Sequence, residues 1–168
     1  MDMRFKYAQH VEKETRFADL ANEMMELVET NMSWKENPRE LLKKVAEKIK
    51  CAESDSMLTF GETELKFALF LDDMVKKAAV APTFKNPATA KILNRTTEDA
   101  IPVKIEILRD IATIAKLIIH ANEKSTDGIN AFLKKTDDEI KTDIDIFSYI
   151  ATKELENARI DFMRKALK

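Results

Sequence analysis

The C-terminal part of the chain carries one apolar seam of unusual length. Leu133, Ile140, Ile144, Phe147, Ala151, Leu155, Ala158, Phe162 and Ala166 recur in steps of three and four, apart from one seven-residue step across Thr136. Ile140, Ala151 and Phe162 repeat at eleven, close to the period of a straight helix, so the seam stays on one side for many turns. No Gly, Asn or Pro closes the run after its last apolar residue. A helix with so long a seam needs a long partner. This points to an elongated helical assembly more than to a compact enzyme.

Composition supports the same class. Of 168 residues, 45% are hydrophobic and 35% charged, a globular balance, and only 2 Gly and 4 Pro are present to make turns. The reading is an all-α, elongated antiparallel helical bundle with a long C-terminal helix, BAR-like or plain, built as one domain over residues 1–168. A basic connector interrupts it at about 82–97. The net charge of −2 gives no whole-chain attraction to nucleic acid or anionic lipid, so nucleic-acid binding is not expected and any such contact must be local. The single Cys51 excludes an internal disulfide and fits a reducing compartment. The first twenty residues carry Asp2, Arg4, Lys6, Glu12, Lys13 and Glu14 and so lack the apolar core of a signal peptide. A soluble, cytoplasmic protein is expected, with peripheral membrane contact as its one route to a bilayer.

The helical pieces follow from spacing. A first helix is predicted from about Arg4 to Asn31, with Phe17, Leu20, Met24, Leu27 and Val28 on its face. Asn37–Pro38 reads as the cap and first residue of a second, burying Leu41, Leu42, Val45, Ala46 and Ile49. A third, about Gly61 to Ala81, is predicted to bury Leu65, Leu69, Met74 and Val75 beside Phe67 and Phe70. Spacing leaves open whether these are three helices or one long bent one. Asp99 is a candidate cap for a helix running to about Asn122 with Pro102 in its first turn. That helix shows two stripes, Ile101, Ile105, Leu108, Ala112, Ala115, Ile119 and Ile107, Ile111, Ile114, Ile118, so it is predicted to be central and covered on several sides. Asp127–Gly128 breaks the chain before the last helix.

The residues that carry chemistry are sparse. His10 and His120 are preceded three residues earlier by Tyr7 and Leu117, so the Glu-x-x-His pairs of di-iron bundles are missing. Asp137-Asp138-Glu139 after Thr136 suits a helix start better than a metal. Cys51 has Lys48 and Lys50 near it and no base beside it in sequence. Gly61 and Gly128 alone make no phosphate-binding loop. No catalytic residue, cofactor site or metal site is assigned. Trp34, beside Lys35, reads as a cap on the end of a core, with an interfacial anchor as the alternative.

One stretch departs from the even charge pattern. Between Asp73 and Glu98 there is no acid, while Lys76, Lys77, Lys85, Lys91 and Arg95 all lie there, with Phe84, Ile92 and Leu93 among them. Basic charge with insertable apolar groups suits an anionic membrane surface, each Lys or Arg contributing about 1 kcal/mol near it. The same residues fit an acidic partner protein. A solvated connector that lacks acids by chance is the plain alternative.

Three stretches carry a family resemblance. In Lys153-Glu154-Leu155-Glu156-Asn157-Ala158-Arg159-Ile160-Asp161-Phe162-Met163-Arg164-Lys165-Ala166-Leu167 an acidic–hydrophobic pair precedes a basic residue, then Asp-Phe, then Leu. Ile105-Glu106-Ile107-Leu108-Arg109-Asp110-Ile111 runs on to Ala115-Lys116-Leu117-Ile118, and Asn37-Pro38 precedes Met57-Leu58-Thr59-Phe60-Gly61. These resemble the BAR-domain superfamily, in its sorting-nexin and endophilin-like branches: its third-helix signature, the start of its second helix, and first-helix segments. The resemblance implies a curved homodimer that reads or generates membrane curvature through basic residues on a concave face. In this chain the arm turns early, near Asp127–Gly128.

The expected function is therefore non-enzymatic: a BAR-like helical dimer that binds or shapes membranes or scaffolds partners. The dimer seam is expected at Ile144, Phe147, Leu155 and Phe162. Membrane or partner contact is expected at Lys76, Lys77, Lys85, Lys91, Arg95 and Phe84. The alternative is a helical-bundle adaptor that grips a partner protein in an apolar groove and has no membrane role.

Overall fold

A computed structural model describes the backbone of residues 3–53, 60–80 and 101–166, and side-chain placement over 17–50, 63–77 and 105–165. The basic connector with Phe84, Lys85, Lys91 and Arg95, the Asp99 cap, and the side chains of His10 and Cys51 lie outside the described residues. The chain is all-α. Its helices are α1 (Met3–Thr30), α2 (Pro38–Glu53), α3 (Phe60–Val80), α4 (Ile101–Lys124), the single turn α5 (Ile129–Phe132) and α6 (Asp137–Ala166), with a 3₁₀ turn at Trp34–Glu36. None of the described helices is long and apolar enough to cross a membrane.

α4 is the centre of the packing. It meets α3 over the most extensive surface and α6 next, and α1 and α5 also lie against it. Both of its apolar stripes are used: Ile107, Ile111, Ile114 and Ile118 are buried, and so are Leu108, Ala112 and Ala115. Each fully buried aliphatic side chain contributes about 1.5–3 kcal/mol, so this helix supplies a large part of the core. α2 joins the same core through Leu41, Leu42, Val45, Ala46 and Ile49, and α1 through Leu20, Ala21, Met24, Met25 and Val28. Phe17 and Leu27 are only partly covered, at the margin of that face.

α3 buries Phe67, Ala68, Leu71, Met74 and Val75. Leu69, expected inside, is 53% exposed. The helix turns its Phe67–Leu71 side inward, and Leu69 stands off that side. α1 and α2 are separate helices: α1 closes at Thr30, where Asn31 Nδ2 donates to the Leu27 carbonyl at 2.8 Å. The 3₁₀ turn then places Trp34, 3% exposed, over the core end.

The seam after Gly128 is two helices, not one. α5 makes a single turn, and a short bend precedes α6. Thr136 starts α6 by a reciprocal cap: its Oγ1 accepts from the Glu139 N–H at 3.2 Å, and its own N–H donates to Glu139 Oε1 at 3.3 Å. The seven-residue step across Thr136 marks this break. Arg39, at the start of α2, holds the bend from outside. Its guanidinium donates to the carbonyls of Leu133 and Lys135, and its Nε to Asp137 Oδ1 at 2.7 Å.

Candidate functional site

α6 has two apolar faces. Ile140, Ile144, Ala151 and Leu155 point into the chain's own core and are buried. Ile146, Tyr149, Ile150, Ile160 and Met163 lie on the far side of the same helix and are exposed, Tyr149 by 66% and Met163 by 62%. Most of the large apolar side chains exposed among the described residues are on this one helix. On the outward face Ile146 and Tyr149 form one patch, Ile160 and Met163 another. Between them stand Lys153 and Glu156, whose side chains pair at 3.6 Å. Lys153 Nζ also lies 5.8 Å from the centre of the Tyr149 ring, so the middle of the face is ordered by its own contacts.

The sequence-predicted seam residues all fall on the inward line of α6, and none on its outward face. Ile144 and Leu155 belong to the internal core. Phe147 packs partly buried against that core, its ring 5.2 Å from the His120 ring. Phe162 continues the inward line but is 46% exposed. Of the basic residues, Lys76 and Lys77 are described, and both are engaged. Lys76 pairs with Asp72 at 3.1 Å and Glu154 at 3.9 Å, and Lys77 with Asp73 at 2.7 Å. Each ammonium is held above its ordinary pKa, first by the hydrogen bond to that aspartate.

Lys76 belongs to a larger cluster. Lys116 of α4, its side chain only 13% exposed, contacts Glu154 of α6 and lies 3.4 Å from Asp72 of α3. Two lysines and two carboxylates thus tie three helices together. This is a structural arrangement: each charge has an opposite partner, and the pairs fix how α6 lies on α4.

Two buried carboxylates escaped the sequence reading. Asp110 of α4 is 1% exposed and pairs with Lys35 Nζ at 3.2 Å, and that ammonium donates to Ser148 Oγ at 3.1 Å. Burial pushes the Asp110 carboxyl above its usual range. The Lys35 charge opposes this, as does the neighbouring Trp34 indole N–H, which sits outside normal hydrogen-bond geometry. Glu64 of α3 is fully buried, and its Oε1 accepts from the Ile129 N–H at 2.9 Å and from Asn122 Nδ2 at 2.8 Å. Their one sequence signal is phase: Glu64 falls in step with Phe67, Ala68 and Leu71, and Asp110 with Ile107, Ile111 and Ile114.

His120 lines a surface cleft of about 80 Å³ with Ala121, Ala131, Phe132 and Lys135, and a second of about 100 Å³ lies over Trp34, Asn37 and Leu41. Both are well below the ~300 Å³ of ordinary small-molecule sites. Among the described residues no group of three His, Cys, Asp or Glu side chains converges as metal ligands would. Comparison with protein-family models, with curated proteins and with solved structures gives no match.

Proposed function

We propose that this chain is a non-enzymatic helical scaffold that works by docking another helix on the outward face of α6. One observation carries the reading. Ile146, Tyr149, Ile160 and Met163, at steps of three, eleven and three with Lys153 and Glu156 between the pairs, share one helix-pairing face and are exposed, on a helix whose opposite face already fills the core. Apolar side chains in that spacing suit an α-helical partner better than an extended strand. A photo-crosslinking amino acid at Tyr149 should give a protein adduct in cells, and the same group at exposed Glu47 should give none. No adduct at 149 rejects the reading.

The BAR-like membrane reading stands second. It rests on Phe84, Lys85, Lys91 and Arg95 in a stretch without acids. Because Lys76 and Lys77 already hold acidic partners, the connector itself has to supply the charge for a lipid surface.

A further inference from the structure

We propose that the helix docked on α6 is the α6 of a second copy of this chain, running antiparallel in a fixed register. The inference rests on the reading of α6 as a docking face and names its occupant. The outward seam is Glu139, Thr142, Ile146, Tyr149, Lys153, Glu156, Ile160 and Met163, alternating steps of three and four. It is self-complementary when reversed. A twofold axis through the middle of the Lys153–Glu156 step sets Ile146 against Met163 of the second copy and Tyr149 against its Ile160. The same axis sets Lys153 against the other copy's Glu156, twice. From Ile146 to Met163 every apolar side chain of the seam meets an apolar one, and Lys153 and Glu156 each meet their opposite. This is the isologous symmetry of a closed dimer.

Charge along the helix selects the same orientation. Around its start α6 carries Asp137, Asp138, Glu139, Asp143 and Asp145 against Lys141 alone. Near its end it carries Arg159, Arg164 and Lys165 against Asp161. Antiparallel pairing lays the basic end of each helix over the acidic start of the other. Parallel pairing stacks like on like: Lys153 on Lys153, Glu156 on Glu156, and acidic start on acidic start. On the flanks, reversal brings Asp143 near Arg164 and Ile150 near Asn157. The face from Ile146 to Met163 spans about five turns, a contact of about 25 Å, at the small end of specific interfaces. The dimer is therefore expected to dissociate in the micromolar range.

The test uses the purified full chain. Sedimentation equilibrium from about 1 to about 200 µM should show a monomer–dimer equilibrium. Lys153→Glu and Glu156→Lys each put two like-charge pairs at the axis and should weaken association about tenfold, while the double reversal should return it to within about threefold of the parent. Helical circular dichroism should stay unchanged throughout. Orientation is read separately on a Cys51→Ser background. Mixed Tyr149→Cys and Ile160→Cys chains should form a disulfide dimer under mild oxidation, and neither should do so alone. A monomer at every concentration, single variants that associate like the parent, or self-crosslinking by Tyr149→Cys alone would overturn the proposal. If it fails while the photo-crosslinker at 149 captures a different protein, the docking reading stands with another occupant. If the crosslinker also gives nothing, both fall.

Discussion

Lys35 and Asp110, seventy-five positions apart in the chain, meet at 3.2 Å at the edge of the core, and the carboxylate is almost wholly buried while the ammonium keeps a third of its surface in water. The pair is unequal. Burial raises the Asp110 pKa more than Lys35 lowers it, so the folded protein holds this proton more tightly than the unfolded chain does. Stability from this group accordingly grows as pH falls from above its raised folded value toward the ordinary carboxylate range, and is lost as pH rises through that window. Asp110→Asn removes the buried charge. It should melt no lower than the parent at neutral pH, and its advantage should shrink as pH is lowered. Thermal melts of both proteins across that range check this. A parent that is the more stable at neutral pH would mean that the Lys35 contact outweighs burial.

Gly128 and Glu64 make the second prediction. Gly128 has φ 55° at the entry to α5, and a Cβ built there would lie 2.2 Å from Glu64 Oε1. Gly128→Ala therefore strains the backbone and displaces the carboxylate that holds the Ile129 N–H and Asn122. A loss of about 2–4 kcal/mol in denaturant unfolding is expected. Glu64→Gln keeps an acceptor at the same place and should cost far less.

Arg39 should matter for the bend before α6. Asp137 is held below its usual pKa, first by the hydrogen bond from Arg39. Its contribution is present above the unfolded value and fades as pH falls through the lowered one. Arg39→Lys keeps the charge and loses the fork that reaches two carbonyls. Hydrogen exchange over residues 133–140 should quicken in this variant while α4 stays protected.

The outward face of α6 and the buried isoleucines of α4 should respond oppositely to charge. Ile111→Asp and Ile114→Asp both bury an unpaired carboxylate and should unfold the protein. Tyr149→Asp stands clear of the chain's own core and, below the concentrations at which copies pair, should leave the melting temperature nearly unchanged. Circular dichroism melts of the three variants decide it.

The membrane reading has its own test. Lys85→Glu, Lys91→Glu and Arg95→Glu together should abolish sedimentation with phosphatidylserine vesicles and leave helical content unchanged. Parent binding should weaken with salt, because the screening length is about 8 Å at physiological ionic strength. Equal pelleting of parent and triple variant would remove the connector from the mechanism, and no pelleting of the parent would remove the membrane.

What the sequence made legible follows from period. The inward residues of α2 and both stripes of α4 are legible because each lies on a continuous helical face. The break before α6 is only half legible: Leu133 and Ile140 stay in phase across the bend, so the seam reads straight through it, while the seven-residue step and the acids after Thr136 mark a helix start. The outward face of α6 was masked by the stronger inward seam and by Lys153 and Glu156 in its middle. Leu69 misled because Leu65 and Leu69 form a four-residue step, while the helix turns its Phe67–Leu71 side inward. Glu64 and Asp110 look like surface charges in a linear reading. Their partners Asn122, Ile129 and Lys35 are brought to them only by the tertiary fold.

The enclosure of α4 bears on how the chain is made. Its covering helices come from both directions, α1 and α3 before it and α5 and α6 after it. A nascent chain that has left the ribosome only as far as Lys124 has its central helix complete and the flank that α6 will occupy still bare. Such a species is sticky until the remaining residues arrive. Synthesis of this protein should therefore lean on chaperones late, and a stop placed between α4 and α6 should yield aggregate in place of a stable half.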